Sequence, residues 1–163
     1  MMQFFNTYSL EIYAFLLSML PVSEIRGTII LFSHRMNPIT LLIVGILGNM
    51  LPVPLVLLLF RPVLAWLRKT KLFSGFANWL ENRVQKKAAG FMKLTVVALC
   101  IFVGIPLPGT GAWTGAMLAA MLDMRLKYSI PAIFLGVVIA GIIMTLLMQG
   151  ILNFGVFTKL FIN

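Results

Sequence analysis

The chain has few groups with which to meet water or to do chemistry. Only 10% of its 163 residues are charged, against roughly 25% in soluble domains, and only four are acidic. Hydrophobic residues make up 61%, and the mean hydropathy is +1.03. A soluble nucleic-acid binder is excluded, because its basic residues would lie on a polar surface. Disorder is excluded as well, since it needs low hydrophobicity. The single cysteine, Cys100, permits neither an intrachain disulfide nor a thiolate metal cluster. With one histidine, His34, there is no His-rich metal site, and Glu11, Glu24, Glu81 and Asp123 fall in different regions. No catalytic set, metal or cofactor is therefore expected, and the chain reads as a non-enzyme. The start, MMQFFNTYSL, has no basic n-region or cleavage-like pattern and is expected to be retained. What remains is an all-α integral membrane protein with one transmembrane domain over 1–163.

Two uninterrupted apolar runs are long enough to span a bilayer, from about Pro38 to Phe60 and from about Tyr128 to Ile151. Small residues suit them to close helix packing: Gly45 and Gly48 in the first, Gly136, Ala140 and Gly141 in the second. Pro52 and Pro54 are expected to bend the first run, with Asn49 satisfying a freed backbone group. Two other apolar regions are interrupted. Leu10–Leu20 meets Pro-Val-Ser-Glu-Ile-Arg-Gly (21–27) before Thr28–Phe32, and Leu94–Ile105 meets Pro-Leu-Pro-Gly-Thr-Gly (106–111) before Ala112–Leu122. The longer legs have about 11 or 12 residues, roughly 17 Å as helix, half a bilayer. Two such legs around a Pro/Gly break predict a re-entrant hairpin with its tip near the midplane. One kinked spanning helix in each region is the alternative.

Charge placement favours the hairpins. Residues 61–93 hold eight basic side chains (Arg61, Arg68, Lys69, Lys71, Arg83, Lys86, Lys87 and Lys93) against Glu81 alone, +7 of the net +9. The positive-inside rule makes this linker cytoplasmic. With hairpins, Arg125 and Lys127 also fall inside; with four full spans they would face out. The hairpin reading gives repeat 1 over about 10–60 and repeat 2 over about 94–151, the same element order entering from opposite sides. That is an inverted repeat, as in many secondary transporters. In the linker, Leu72, Phe73, Phe76, Trp79, Leu80 and Val84 recur at helical spacing opposite basic residues, which predicts an amphipathic helix on the anionic inner leaflet. Trp66 and Trp79 read as interfacial anchors.

Glu24 and Arg26 are the ionisable residues inside the apolar part of a hairpin, and charge at such depth marks a functional candidate. Two apart, they do not share a helix face, so each points to its own partner or both meet in an unwound tip. A structural role is the competing reading: Ser23 capping a helix restarting at Glu24, and Arg26 tying carbonyls together. In the second break, Gly109 and Gly111 allow positive φ, Thr110 can cap the restarting helix, and the amides can cradle an anion. Trp113, just past that tip, packs between the halves or lines a pathway.

Three runs carry a resemblance. Met19-Leu20-Pro21-Val22-Ser23-Glu24-Ile25-Arg26-Gly27, Gly48-Asn49-Met50-Leu51-Pro52-Val53-Pro54 and Ile105-Pro106-Leu107-Pro108-Gly109-Thr110-Gly111-Ala112-Trp113-Thr114-Gly115 together resemble the small multidrug export family of bacterial and archaeal membrane proteins, over about residues 10–150. The layout is also similar to the DedA superfamily, whose members are implicated in moving lipid carriers such as undecaprenyl phosphate. The resemblance implies a multi-pass protein of the cytoplasmic membrane. The leading expectation is a midplane site between the hairpins for an amphipathic anion such as a polyprenyl phosphate. Arg26, Gly109, Thr110, Gly111 and Trp113 would bind it, with Glu24 coupling to protons. The alternatives are proton-coupled export of lipophilic cations, with Glu24 binding the drug, and a non-transporting scaffold. Expected partners are membrane lipids and a second copy of the chain, since two spans and two hairpins can hardly enclose a pathway alone.

Overall fold

The computed structural model describes residues 2–69, 95–107 and 109–161, with side chains over 9–60, 62–63, 95–107 and 109–150. All its regular elements are helices: α1 Met2–Met19, α2 Glu24–Phe32, α3 Pro38–Met50, α4 Pro52–Lys69, α5 Thr95–Gly104, α6 Ala112–Met121 and α7 Leu126–Phe161. The amphipathic helix expected over 72–84 lies outside the described residues.

Local chemistry sets most of these boundaries. At α3, Asn37 Oδ1 accepts the Ile39 N–H at 2.9 Å, and Pro38 takes the first helical position, where no N–H is needed. At the end of α6, Asp123 adopts φ 51°, while the Met124 N–H reaches Ala119 O and the Asp123 N–H reaches Ala120 O. This is a Schellman closure with aspartate in place of the usual glycine. Between α3 and α4 only Leu51 intervenes, still bonded to Leu47 O at 3.2 Å. Helical backbone runs through Leu51, and Pro52 and Pro54, which lack an N–H, divide the run into α3 and α4. Pro38–Phe60 (23 residues) and Leu126–Gly150 (25 residues) are long and apolar enough to cross a membrane.

The broken segments resolve into short helices. α2 has 9 residues and α6 has 10, about 13–15 Å each. Helix resumes at Glu24, as the capping reading of this break has it, and not only at Thr28. Pro21 has no N–H to give Leu17 O one turn back, and that carbonyl accepts the Leu20 N–H at 3.2 Å and the Ser23 hydroxyl at 2.5 Å. Ser23 is thus occupied behind the break and does not cap α2.

Glycine lets the helices meet. A Cβ on Gly48 would strike Ser18 Oγ and Phe15 O of α1, and one on Gly136 would lie 2.6 Å from Val103 Cβ and 2.8 Å from Cys100 O of α5. Each long span therefore takes the helix that precedes a break. Each also packs on a short helix of the other half: α4 on α6, and α7 on α2, where Gly141 receives Ile25.

Outward, the first span presents Ile39, Ile43, Leu47, Leu51, Leu55 and Leu58, all more than half exposed. Leu135, Ile139, Ile142 and Leu146 form a similar stripe on α7. Contiguous apolar stripes of this length suit hydrocarbon and not water. Gly136→Ala is expected to cost about 1–3 kcal/mol through overpacking against Val103 and the Cys100 carbonyl. Gly150→Ala, with open space around its Cβ, should be neutral or slightly stabilising. Thermal unfolding of the two variants in detergent measures the difference.

Candidate functional site

The two breaks meet, and the polar residues of the first serve the second. Proline at 106, as at 21, removes a backbone donor from the chain leaving its helix, so carbonyls accumulate there. Arg26, in the first turn of α2, supplies what is missing. Nη1 donates to Leu107 O, and Nη2 to Thr110 O, to Ile105 O at 3.1 Å and to Val103 O at 3.4 Å. Thr110 Oγ1 accepts from Nη2 at 3.1 Å and turns its own hydrogen toward Ile105 O (2.8 Å) and Leu107 O (2.9 Å). A planar guanidinium with forked donors suits a cluster of carbonyls in a way that a lysine ammonium does not.

Glu24 goes to the other side of the same break. Its carboxyl group lies against Gly111, where a Cβ would coincide with it. Gly111 is the residue before α6, so the carboxylate sits at the positive end of that helix. Arg26 thereby holds the carbonyls that follow α5, and Glu24 holds the start of α6. Glu24 is 8% exposed and adopts φ 46°, a left-handed backbone that costs a non-glycine residue about 1–2 kcal/mol.

The remaining expected site residues have distinct places. Thr110 does not cap α6. Thr114 does, accepting the Gly111 N–H at 2.8 Å, a Thr three residues past the cap that sequence reading passed over. Gly109 is exposed at φ 82° with open space around its Cβ, a turn position rather than a packing one. Trp113 joins the two pairs in the reverse direction, its indole Nε1 donating to Met19 O at the end of α1 at 3.0 Å. Glu24, Arg26, Thr110, Gly111 and Trp113 thus converge, and Gly109 lies at the margin.

Asn49 does not satisfy a freed backbone group. It is 1% exposed, and neither Oδ1 nor Nδ2 has a hydrogen-bond partner among the described residues. An amide left so costs on the order of 1–3 kcal/mol. The signal was available, as an asparagine inside a 23-residue apolar span. Beside the junction, Tyr13, Leu16, Leu17, Met19, Leu20 and Phe32 line an open apolar groove of about 470 Å³.

Two spanning-length helices, outward apolar stripes and a polar cluster between broken helices define an all-helical membrane protein. Residues 24–143 match the model of the family described as "Putative small multi-drug export protein". The chain belongs to that family. The matched segment begins at Glu24, the first residue of α2, and takes in the whole second break. No curated protein and no solved structure gives a significant match.

The contact between Glu24 and Gly111 makes a direct stability test. Gly111→Ala should lower stability by about 1–3 kcal/mol, because the added methyl needs the space of the carboxylate. Combined with Glu24→Ala, part of that loss should return, whereas additive losses would mean that the two residues are not in contact. Thermal unfolding of the single and double variants reads the coupling.

Proposed function

We propose that the chain is a small proton-coupled exporter of lipophilic cations, in which Glu24 holds the two halves together when ionised and releases them when it is protonated or paired with substrate. The observation that carries this reading is the Glu24 carboxyl group seated at the start of α6 against Gly111. Helix-end attraction acts on the charged carboxylate and fades when a proton neutralises it. The left-handed backbone at Glu24 adds a bias toward release. Once freed, a carboxylate in apolar surroundings is a natural partner for a lipophilic cation. Proton and cation then compete for one group, which couples their movements in opposite directions.

The other features take supporting roles. The two broken pairs act as re-entrant hairpins of an inverted repeat, a reading supported by the reciprocal packing of each long span on the other half's short helix. The groove ending at Met19 and Leu20 offers apolar and aromatic surface where the substrate would approach the break. Arg26 is a clamp, keeping the second tip intact while α6 moves. A second copy of the chain completes the enclosure of the pathway.

A polyprenyl phosphate or other lipid phosphate fits this geometry less well. Its headgroup would have to displace Leu107 O and Thr110 O from Arg26 and the Glu24 carboxylate from α6. Both positive elements expected to bind it already face acceptors of the chain itself.

Glu24→Gln keeps shape and hydrogen bonding but removes the charge that titrates. In reconstituted vesicles, export of a lipophilic cationic dye driven by a pH gradient should fall to the level of protein-free vesicles, with thermal stability only modestly changed. Undiminished gradient-driven flux would exclude Glu24 as the coupling group.

A further inference from the structure

The three buried side-chain atoms without partners among the described residues are Arg26 Nε, Asn49 Nδ2 and Asn49 Oδ1. One belongs to Arg26 in the first turn of α2, and two to Asn49, one turn beyond the Gly45 that packs on Ile25. Buried polar groups are ordinarily paired, so orphans concentrated at one level of a molecule call for a ligand there.

Packing fixes the level of Asn49. Leu41, Gly45, Asn49, Val53 and Leu57 follow one another at four-residue spacing, and all are buried. At one end of this stripe, Gly45 takes the side chain of Ile25, the residue after Glu24. Toward the other end, α4 with Val53 and Leu57 packs on α6. Asn49 stands one turn beyond Gly45 on the buried stripe whose Gly45 receives Ile25. Side chains on a helix lean toward its N-terminus, which inclines the carboxamide back toward Gly45 and the first turn of α2. Gly48 beside it closes the flank against Ser18 and Phe15 O.

A carboxamide offers one good acceptor and two donors, and the orphaned Arg26 Nε adds a donor. A ligand that answers both kinds of group must itself donate and accept while carrying no net charge into an apolar core. Water meets that description, and internal waters typically make about three hydrogen bonds to groups of this kind. We propose that Asn49 is the wall of a buried hydration site at the junction of the two breaks, and that water held there carries protons to and from Glu24. The second half of this statement rests on Glu24 as the coupling group; the hydration site itself does not. Arg26, two residues from Glu24 in the first turn of α2, stands beside the relay.

Magnetisation transfer from water to the isotopically labelled chain in lipid bilayers tests the site. The Asn49 side-chain nitrogen should receive water magnetisation as early as that of exposed Asn37, and well before the buried methyl groups of Leu41 and Val53. Build-up as slow as at those methyl groups would overturn the proposal. In Asn49→Leu, the Glu24 carboxyl carbon should lose its early water contact; a contact of undiminished strength would overturn the link from Asn49 to Glu24. The wild-type readout decides the site even where the leucine variant does not fold. Unchanged dye flux in Glu24→Gln would defeat the transport reading while leaving the Asn49 water signal in place, so the two failures are distinguishable.

Discussion

Proline makes the breaks, and every break leaves backbone carbonyls without donors. In water this would matter little. Between apolar faces such groups cost several kcal/mol each unless the protein supplies partners, which restricts irregular backbone to places where it is satisfied internally. Here each broken pair is satisfied in large part by the other. Arg26 crosses to the carbonyls of 103–110, Glu24 crosses to the start of α6, and the Trp113 indole returns to Met19 O. The exchange works in both directions, so neither break is fully satisfied without the other. Within one break, Ser23 performs the same service for Leu17 O.

The rest of the arrangement follows from letting these groups reach one another. Glycine brings α1 against α3, α5 against α7, and the carboxylate of Glu24 against the chain before α6. Small side chains continue this along α6, where Ala112, Ala116, Ala119 and Ala120 are buried. The outward faces stay large and apolar. A carboxyl group thus becomes part of the contact between the two breaks. The same geometry explains why Arg26 is better suited to a clamp than to a binding site: its terminal nitrogens already spread over five oxygens of residues 103–110.

Much of this was legible in the sequence. The two spans could be read because length and hydropathy act through whole segments, and the breaks because Pro21, Pro106 and Pro108 cannot continue a helix. Glu24 and Arg26 stood out because charge is rare among apolar residues, while their spacing left open whether they take separate partners or meet in an unwound tip. The partners themselves were not legible, since the oxygens that Arg26 holds lie about 80 positions away and mostly belong to backbone. Ser23 and Thr110 were misplaced for a related reason. Both are good local caps by type, but each hydroxyl donates to carbonyls of the turn that precedes it. Asn49 was visible as a residue but not as a problem, because an isolated span does not reveal that its neighbours bring no partner.

The two breaks meet through Glu24 and Arg26. This meeting is tested most directly by through-space carbon correlations from the isotopically labelled chain in lipid bilayers near neutral pH. Cross-peaks between the Glu24 carboxyl carbon and Gly111 Cα, and between Arg26 Cζ and the carbonyl carbons of Leu107 and Thr110, are the expected result. Spectra that contain the sequential peaks of all five residues but none of these long-range ones would contradict it.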